Sequence, residues 1–296
     1  MRWKANCRLP SATPPNKGCV AMRKMGSGRN TAPFLFALLL FCAMSVKAQQ
    51  ADLVPGTALA TGQGSIARAW FADPTTRYPH GALGDDIEAG TLVLQGRDGG
   101  IARIVLPENR VFEDVFPRLV SAPVVGDVAM VVESDRKMGA RLSLYGLSDG
   151  QGRLLAATPY IGTGNRWLAP IGIGDFDGDG VVGEVALVAM PHLVGLLRIY
   201  RIQAGELPLM VEAAGYSNHI YGRSEISMSL IERGQKRDRI LLPDRQRRRL
   251  VLIALLDGGL REERVEHLSA PLLRLRQIGA GFEAELEDDS VLTGTP

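Results

Sequence analysis

Residues 172–190 read GIGDFDGDGVVGEVALVAM, with Asp175, Asp177 and Asp179 at alternate positions. Gly178 and Gly180 let the backbone curl, so the three carboxylates face one point. Hard oxygen donors on a turning loop suit Ca²⁺, which takes about six to eight oxygens at roughly 2.3–2.6 Å. An EF-hand would need a bidentate glutamate at the twelfth place and helices on both sides. Counted from Asp175, that place holds Ala186, and the flanks LAPIGI and GEVALVA are strand-like. No Gly-Lys-Ser/Thr loop accompanies the aspartates, which argues against a phosphate-bound magnesium. An Asp-Gly turn that binds nothing would use the same residues. No nucleophile or base converges on the loop in sequence, so any calcium there is expected to be structural.

Elements that would position such a loop recur along the chain. TLVLQGRDGGIARIVL (91–106), RLSLYGLSDGQGRLLAAT (141–158), LLRIYRIQAGELPLMVEA (196–213) and RLVLIALLDGGLREERVE (249–266) each read strand, glycine turn, strand. The turn glycines Gly99, Gly150, Gly205 and Gly258 are 51, 55 and 53 residues apart. Asp-Gly between alternating apolar residues is a strong hairpin signal, because the turn needs positive φ. A second strand opened by an acid precedes the later hairpins: GDVAMVV (126–132), GEVALVA (183–189) and RDRILL (237–242). Three or four strands per 50-odd residues predict an all-β repeat domain, a β-propeller-like array of about four to five blades. A fifth blade is expected from both ends, SIARAWFA (65–72) joining LLRLRQIGAGFEAELE (272–287).

The stretch GDFDGDGVVGEVALV resembles the D-x-D-x-D-G calcium loop of FG-GAP or VCBS repeats, which build propellers in integrin α chains and in small exported proteobacterial proteins. The resemblance is strong over this one repeat and rests on pattern elsewhere between about residues 80 and 266. It implies a structural calcium ion, with Asp175, Asp177 and Asp179 as side-chain ligands and Val181 giving its carbonyl. The family's last acid stands eight residues after the first, where this chain has Gly183; Glu184 follows one place later. That offset asks for a one-residue bulge or a water. Elsewhere only Asp127 and Asp238 keep an acid at the matching point.

Residues 34–44, FLFALLLFCAM, form an apolar run after Arg23, Lys24 and Arg29, and Val46-Lys47-Ala48 follows. This is the layout of a secretory signal cut near Ala48, and the run is too short to span a membrane. Residues 1–48 are therefore expected to be a leader, with Met22 or Met25 as possible starts, and residues 49–296 a single repeat domain. Phe41 precedes Cys42 where a lipid-modified cysteine asks for a small residue. The leader holds eight of the 34 basic residues and none of the 32 acidic ones, so the remainder carries 26 against 32, a net charge of −6. Nucleic acid is not expected as a partner. All three cysteines also lie in the leader, so the exported chain has neither disulfide nor thiol nucleophile.

His80, His192, His219 and His267 show no metal-ligand spacing, so zinc has no support in the sequence. The basic run RGQKRDRILLPDRQRRR (233–249) reads as a solvated rim, or as a contact for an anionic envelope polymer. Trp167 reads as blade core. No G-x-S-x-G elbow appears, and no catalytic or cofactor-binding residue is assigned. The expected role is a binding or scaffolding module, periplasmic or secreted, for a protein or cell-envelope polymer. The alternative is an enzyme on a carbohydrate or phosphoester, with its site assembled from several blades. A histidine- or acid-lined pocket would favour the enzyme and a filled channel the binder.

Overall fold

The structure, a computed structural model, describes residues 52–295; the expected leader lies outside the described residues. The fold is all-β, with four antiparallel sheets, none closed into a barrel. No helix among the described residues is long and apolar enough to cross a membrane.

The chain lays down five successive units. Unit one is β1 (Ala60–Thr61), β2 (Ile66–Thr75), β3 (Glu88–Gly96) and β4 (Ile101–Val105). A short strand, β5 (Arg110–Phe112), leads to unit two: β6 (Arg118–Ala122), β7 (Gly126–Asp135), β8 (Gly139–Ser148) and β9 (Gln151–Ala157). Because β5 pairs with both β3 and β7, these two units form one nine-stranded sheet. Unit three is β10 (Leu168–Gly174), β11 (Glu184–Ala189), β12 (Leu196–Arg201) and β13 (Leu209–Ala214). Unit four is β14 (Leu230–Glu232), β15 (Arg239–Pro243), β16 (Arg249–Leu256) and β17 (Gly259–His267). Unit five has three strands, β18 (Leu272–Ile278), β19 (Gly281–Leu286) and β20 (Val291–Gly294).

All four hairpins read from the sequence are present, as β3–β4, β8–β9, β12–β13 and β16–β17. Two of their turns have positive φ at both central residues, Asp149 and Gly150 (53° and 70°) and Asp257 and Gly258 (50° and 75°). That geometry matches the twist of the strands it joins. The shared fifth blade does not form. Residues 65–72 instead become part of β2, registered Ala69↔Leu94 and Phe71↔Leu92 against β3. Hairpin 91–106 needs a partner for its first strand, and the preceding segment supplies it locally. The C-terminal segment folds with β20 as its own sheet.

The apolar runs of the second strands are continuous because both faces are covered. In β7, Val128, Met130 and Val132 pack with unit three, whereas Ala129 and Val131 pack with unit one. In β11, Val185, Leu187 and Ala189 face unit two, and Ala186 and Val188 face unit four. In β16, Val251 and Ile253 face unit three, and Leu250 and Leu252 face unit five. The last strand of each unit is more exposed; β17, GLREERVEH, carries charges along that edge, which discourages pairing with another chain.

Leu187, 1% exposed between units two and three, is the clearest test of this stacking. Leu187→Ala should destabilise the fold by about 2–5 kcal/mol, the usual cost of a cavity at a buried leucine, read as a lowered urea midpoint with unchanged slope.

Candidate functional site

The acidic loop joins β10 to β11, at one end of unit three. Carboxylate oxygens of Asp175, Asp177 and Glu184 lie within 4.8 Å of one another. Asp175 accepts the amides of Gly178 (2.8 Å) and Gly180 (3.1 Å), so its side chain winds the loop around itself. Gly178 has φ +78°, and a Cβ there would stand 2.8 Å from Lys236 O, so the close packing on unit four needs glycine. Asp179 is not among the carboxylates gathered within that distance. The Val181 amide donates to Asp179 Oδ1 at 2.8 Å, and the Val181 side chain is exposed.

Glu184 is fully buried. Its Oε2 accepts the amides of Phe176 (2.9 Å) and Asp177 (3.4 Å), while Oε1 has no hydrogen-bond partner. The one-place offset in sequence costs no bulge here. β11 pairs with β12 in unbroken register from Glu184, and the irregularity falls in β10 between Pro170 and Gly172. Burial, and then the charge of Asp177, push the Glu184 carboxyl up to about 7. Arg201, the last residue of β12, partly answers this concentration of acid, lying 2.5 Å from Asp177, 3.5 Å from Asp179 and 3.4 Å from Glu184. The donor set is all oxygen, and one buried oxygen lacks a hydrogen bond, so the residues fit a hard cation.

The loop also clasps unit four. Asp238 Oδ2 accepts the Asp175 amide at 2.9 Å, and the Asp238 amide donates to Asp175 O at 2.7 Å. Asp127 does the same between units one and two, accepting the Ser65 amide at 2.6 Å. The acids left at the matching points are thus ties between neighbours. The basic run 233–249 is largely engaged as well: Arg233 pairs with Asp238, Arg239 with Glu232 and Glu263, Arg247 with Glu287 and Arg249 with Glu262.

At the other end of β11 a second centre forms, which sequence spacing did not reveal. Connections from the first four units meet there. Tyr221 donates to His80 O (2.9 Å), the Trp167 indole to Glu113 O (2.9 Å), and the Asn165 amide to the Tyr78 hydroxyl (3.1 Å). The Trp167 and His192 rings stack at 6.0 Å and 5°. Trp167 is core, as its sequence context implied, at 2% exposure. These groups surround a cavity of about 310 Å³ lined by His80, Asn165, Trp167, Met190, His192 and Tyr221, with Arg166 and Leu193 at its border. His80 Nδ1 lies 2.6 Å from Glu113 Oε1, and His192 Nε2 lies 2.7 Å from His219 Nδ1. Behind them, burial and the charge of Glu113 push the Glu88 carboxyl far above the usual carboxylate range, so it is neutral at pH 7. The lining comes from four separate connections of the chain, so no motif marks the group.

A scan against protein-family models found no match, and a search of the curated proteins found none. The geometry therefore carries the functional argument alone.

Arg201→Gln should lower stability in chelator, because three clustered carboxylates lose their counter-charge, and should enlarge the rise in melting temperature produced by calcium. Paired melts with and without millimolar calcium read both effects; an unchanged calcium increment would refute the balance.

Proposed function

We propose that this chain is an exported, calcium-stabilised repeat protein of FG-GAP/VCBS type, propeller-like in arrangement, that acts as a binding module. One observation carries the binding role: four connections, from units one to four, meet around an open cavity whose lining includes no serine, threonine, cysteine or carboxylate side chain. Rigid sheets presenting loops at a shared end make a recognition face, and connecting segments are where binding residues concentrate. Serial stacking, with each unit buried between its neighbours, supports the propeller-like reading. The buried Glu184 oxygen beside Asp175 and Asp177 supports calcium, with Asp179, Val181 or water completing the shell. The partner class is a protein or a cell-envelope polymer in the periplasm or outside the cell.

The enzyme reading draws on the histidines lining the cavity, the feature set out above as favouring an enzyme, and on the His80–Glu113 pair, which has the form of an oriented general base. It predicts turnover of chromogenic phosphoesters or glycosides that His80→Gln abolishes. Absence of turnover across such a panel sinks it.

Calcium is tested by melting the purified protein in chelator and across millimolar calcium, beside Asp177→Ala. A structural site adds about 2.7 kcal/mol at a hundredfold excess over Kd, so the wild type should melt higher with calcium and the variant should not. A wild type indifferent to calcium removes the ion from the proposal and leaves the loop as a hydrogen-bonded turn.

A further inference from the structure

The bonds that hold two imidazoles in the loop cavity leave each with a lone pair. Arg223 O can only accept, so the proton in its 2.6 Å contact belongs to His219 Nε2. His219 is buried and His192 half-buried, with no carboxylate against either ring, so both are neutral and each carries one ring proton. His219 Nδ1 is then an acceptor, and the 2.7 Å contact from His192 Nε2 is a donated N–H. His192 Nδ1 is left without a proton, and no described residue donates to it. His80 is fixed from a different direction. Its Nδ1 meets Glu113 Oε1 at 2.6 Å, and Glu113 is fully buried and also takes the Ser134 hydroxyl. A neutral His80 therefore keeps its proton on Nδ1 and its lone pair on Nε2.

An imidazole whose second nitrogen donates to a carboxylate or to another fixed acceptor is the usual outer arrangement of a metal-ligating histidine. Here two such rings, on separate loops, line one cavity with Met190, whose thioether is a soft donor. Met190 and Asn165, both on the cavity wall, hold positive φ (51° and 53°), a conformation that surrounding structure must enforce for methionine. No carboxylate side chain lines the cavity, which disfavours calcium and magnesium there. Arg166 at the border is half-buried, and its guanidinium donates to Asn165 O at 2.9 Å.

We propose that the cavity binds one late first-row transition metal ion of the zinc or copper kind, with His80 Nε2 and His192 Nδ1 as protein ligands and further positions open to Met190, water or a partner. Glu113 and His219 are positioning residues that fix the two tautomers. This rests on reading the loop end as the binding face and is independent of calcium at the acidic loop.

The test titrates the purified protein with Zn²⁺, and in parallel Cu²⁺, in saturating calcium so that the acidic loop is occupied. One equivalent should bind. His80→Gln and His192→Gln should each weaken binding at least tenfold, Glu113→Gln about 10–100-fold through the outer shell, and Asp177→Ala should leave it unchanged. Because His192 is packed against Trp167, the wild type gives a second readout that needs no substitution. Long-range ¹H–¹⁵N spectra of its imidazoles should show His192 Nδ1 unprotonated and shifted on adding Zn²⁺. Stoichiometric binding that leaves the His80 and His192 resonances unmoved overturns the assignment, as does the absence of binding by either ion. A calcium-dependent melt persisting alongside such a result would leave the calcium reading intact and remove this one alone.

Discussion

The inner sheets of this molecule are apolar on both faces, and that constraint organises the rest. A strand such as β7 or β11 buries alternate side chains against two different neighbours, so no inner unit has a complete core of its own. Burial of this kind, at about 25 cal/mol per Å² of apolar surface, is the main favourable term for the fold and is shared across every unit boundary. Stability is then nearest-neighbour in character: a unit is held by the one before and the one after. Charged edge strands such as β17 complete the pattern by directing association along the stack and away from lateral pairing.

Apolar stacking alone allows neighbouring sheets to slide, and polar ties between units limit this. Asp127 and Asp238, each at the second strand of its unit, accept a backbone amide from the first connection of the unit before. Glu184 holds the same place in unit three but turns to its own loop, where Asp175 and Asp177 join it. Arginines at the end of the third strand recur in the same setting. Arg97 donates to the carbonyls of Gly62, Gln63 and Gly64 in unit one, and Arg201 pairs with the acids of unit three. The acidic loop is thus an elaboration of a clasp found twice elsewhere. It gathers three carboxylates about one arginine, and burial first, then the charge of Asp177, raises the Glu184 carboxyl.

Much of the fold was legible in the sequence because its signals are local. The positive φ of an Asp-Gly turn and the period of four hairpins depend on neighbours in the chain, and all four hairpins form as read. The acidic loop was legible for the same reason, since its acids span ten residues. Glu184 was the exception in detail: its turn back to the amides of Phe176 and Asp177 is a matter of loop geometry that spacing does not show. The fifth unit was misassigned because strand pairing between chain ends leaves no local mark, and residues 65–72 had a nearer partner in β3. The histidine cavity was invisible for a related reason. His80, His192 and His219 are separated by 112 and 27 residues, and only the stacking of units brings their loops together.

The two centres sit on opposite ends of β11, and the division of labour follows from what each end must do. The acidic loop packs tightly on unit four, with Gly178 against Lys236 O and mutual amide bonds to Asp238. Glu184 and Phe176 are the fully buried side chains of that loop, which hydrogen-bonds to its own backbone and to unit four. At the other end the connections are longer, the cavity opens to solvent, and its histidines are fixed by bonds behind them that leave their forward nitrogens unclaimed. Five apolar residues of β11, 185–189, join the two ends through one ladder held in unbroken register with β12.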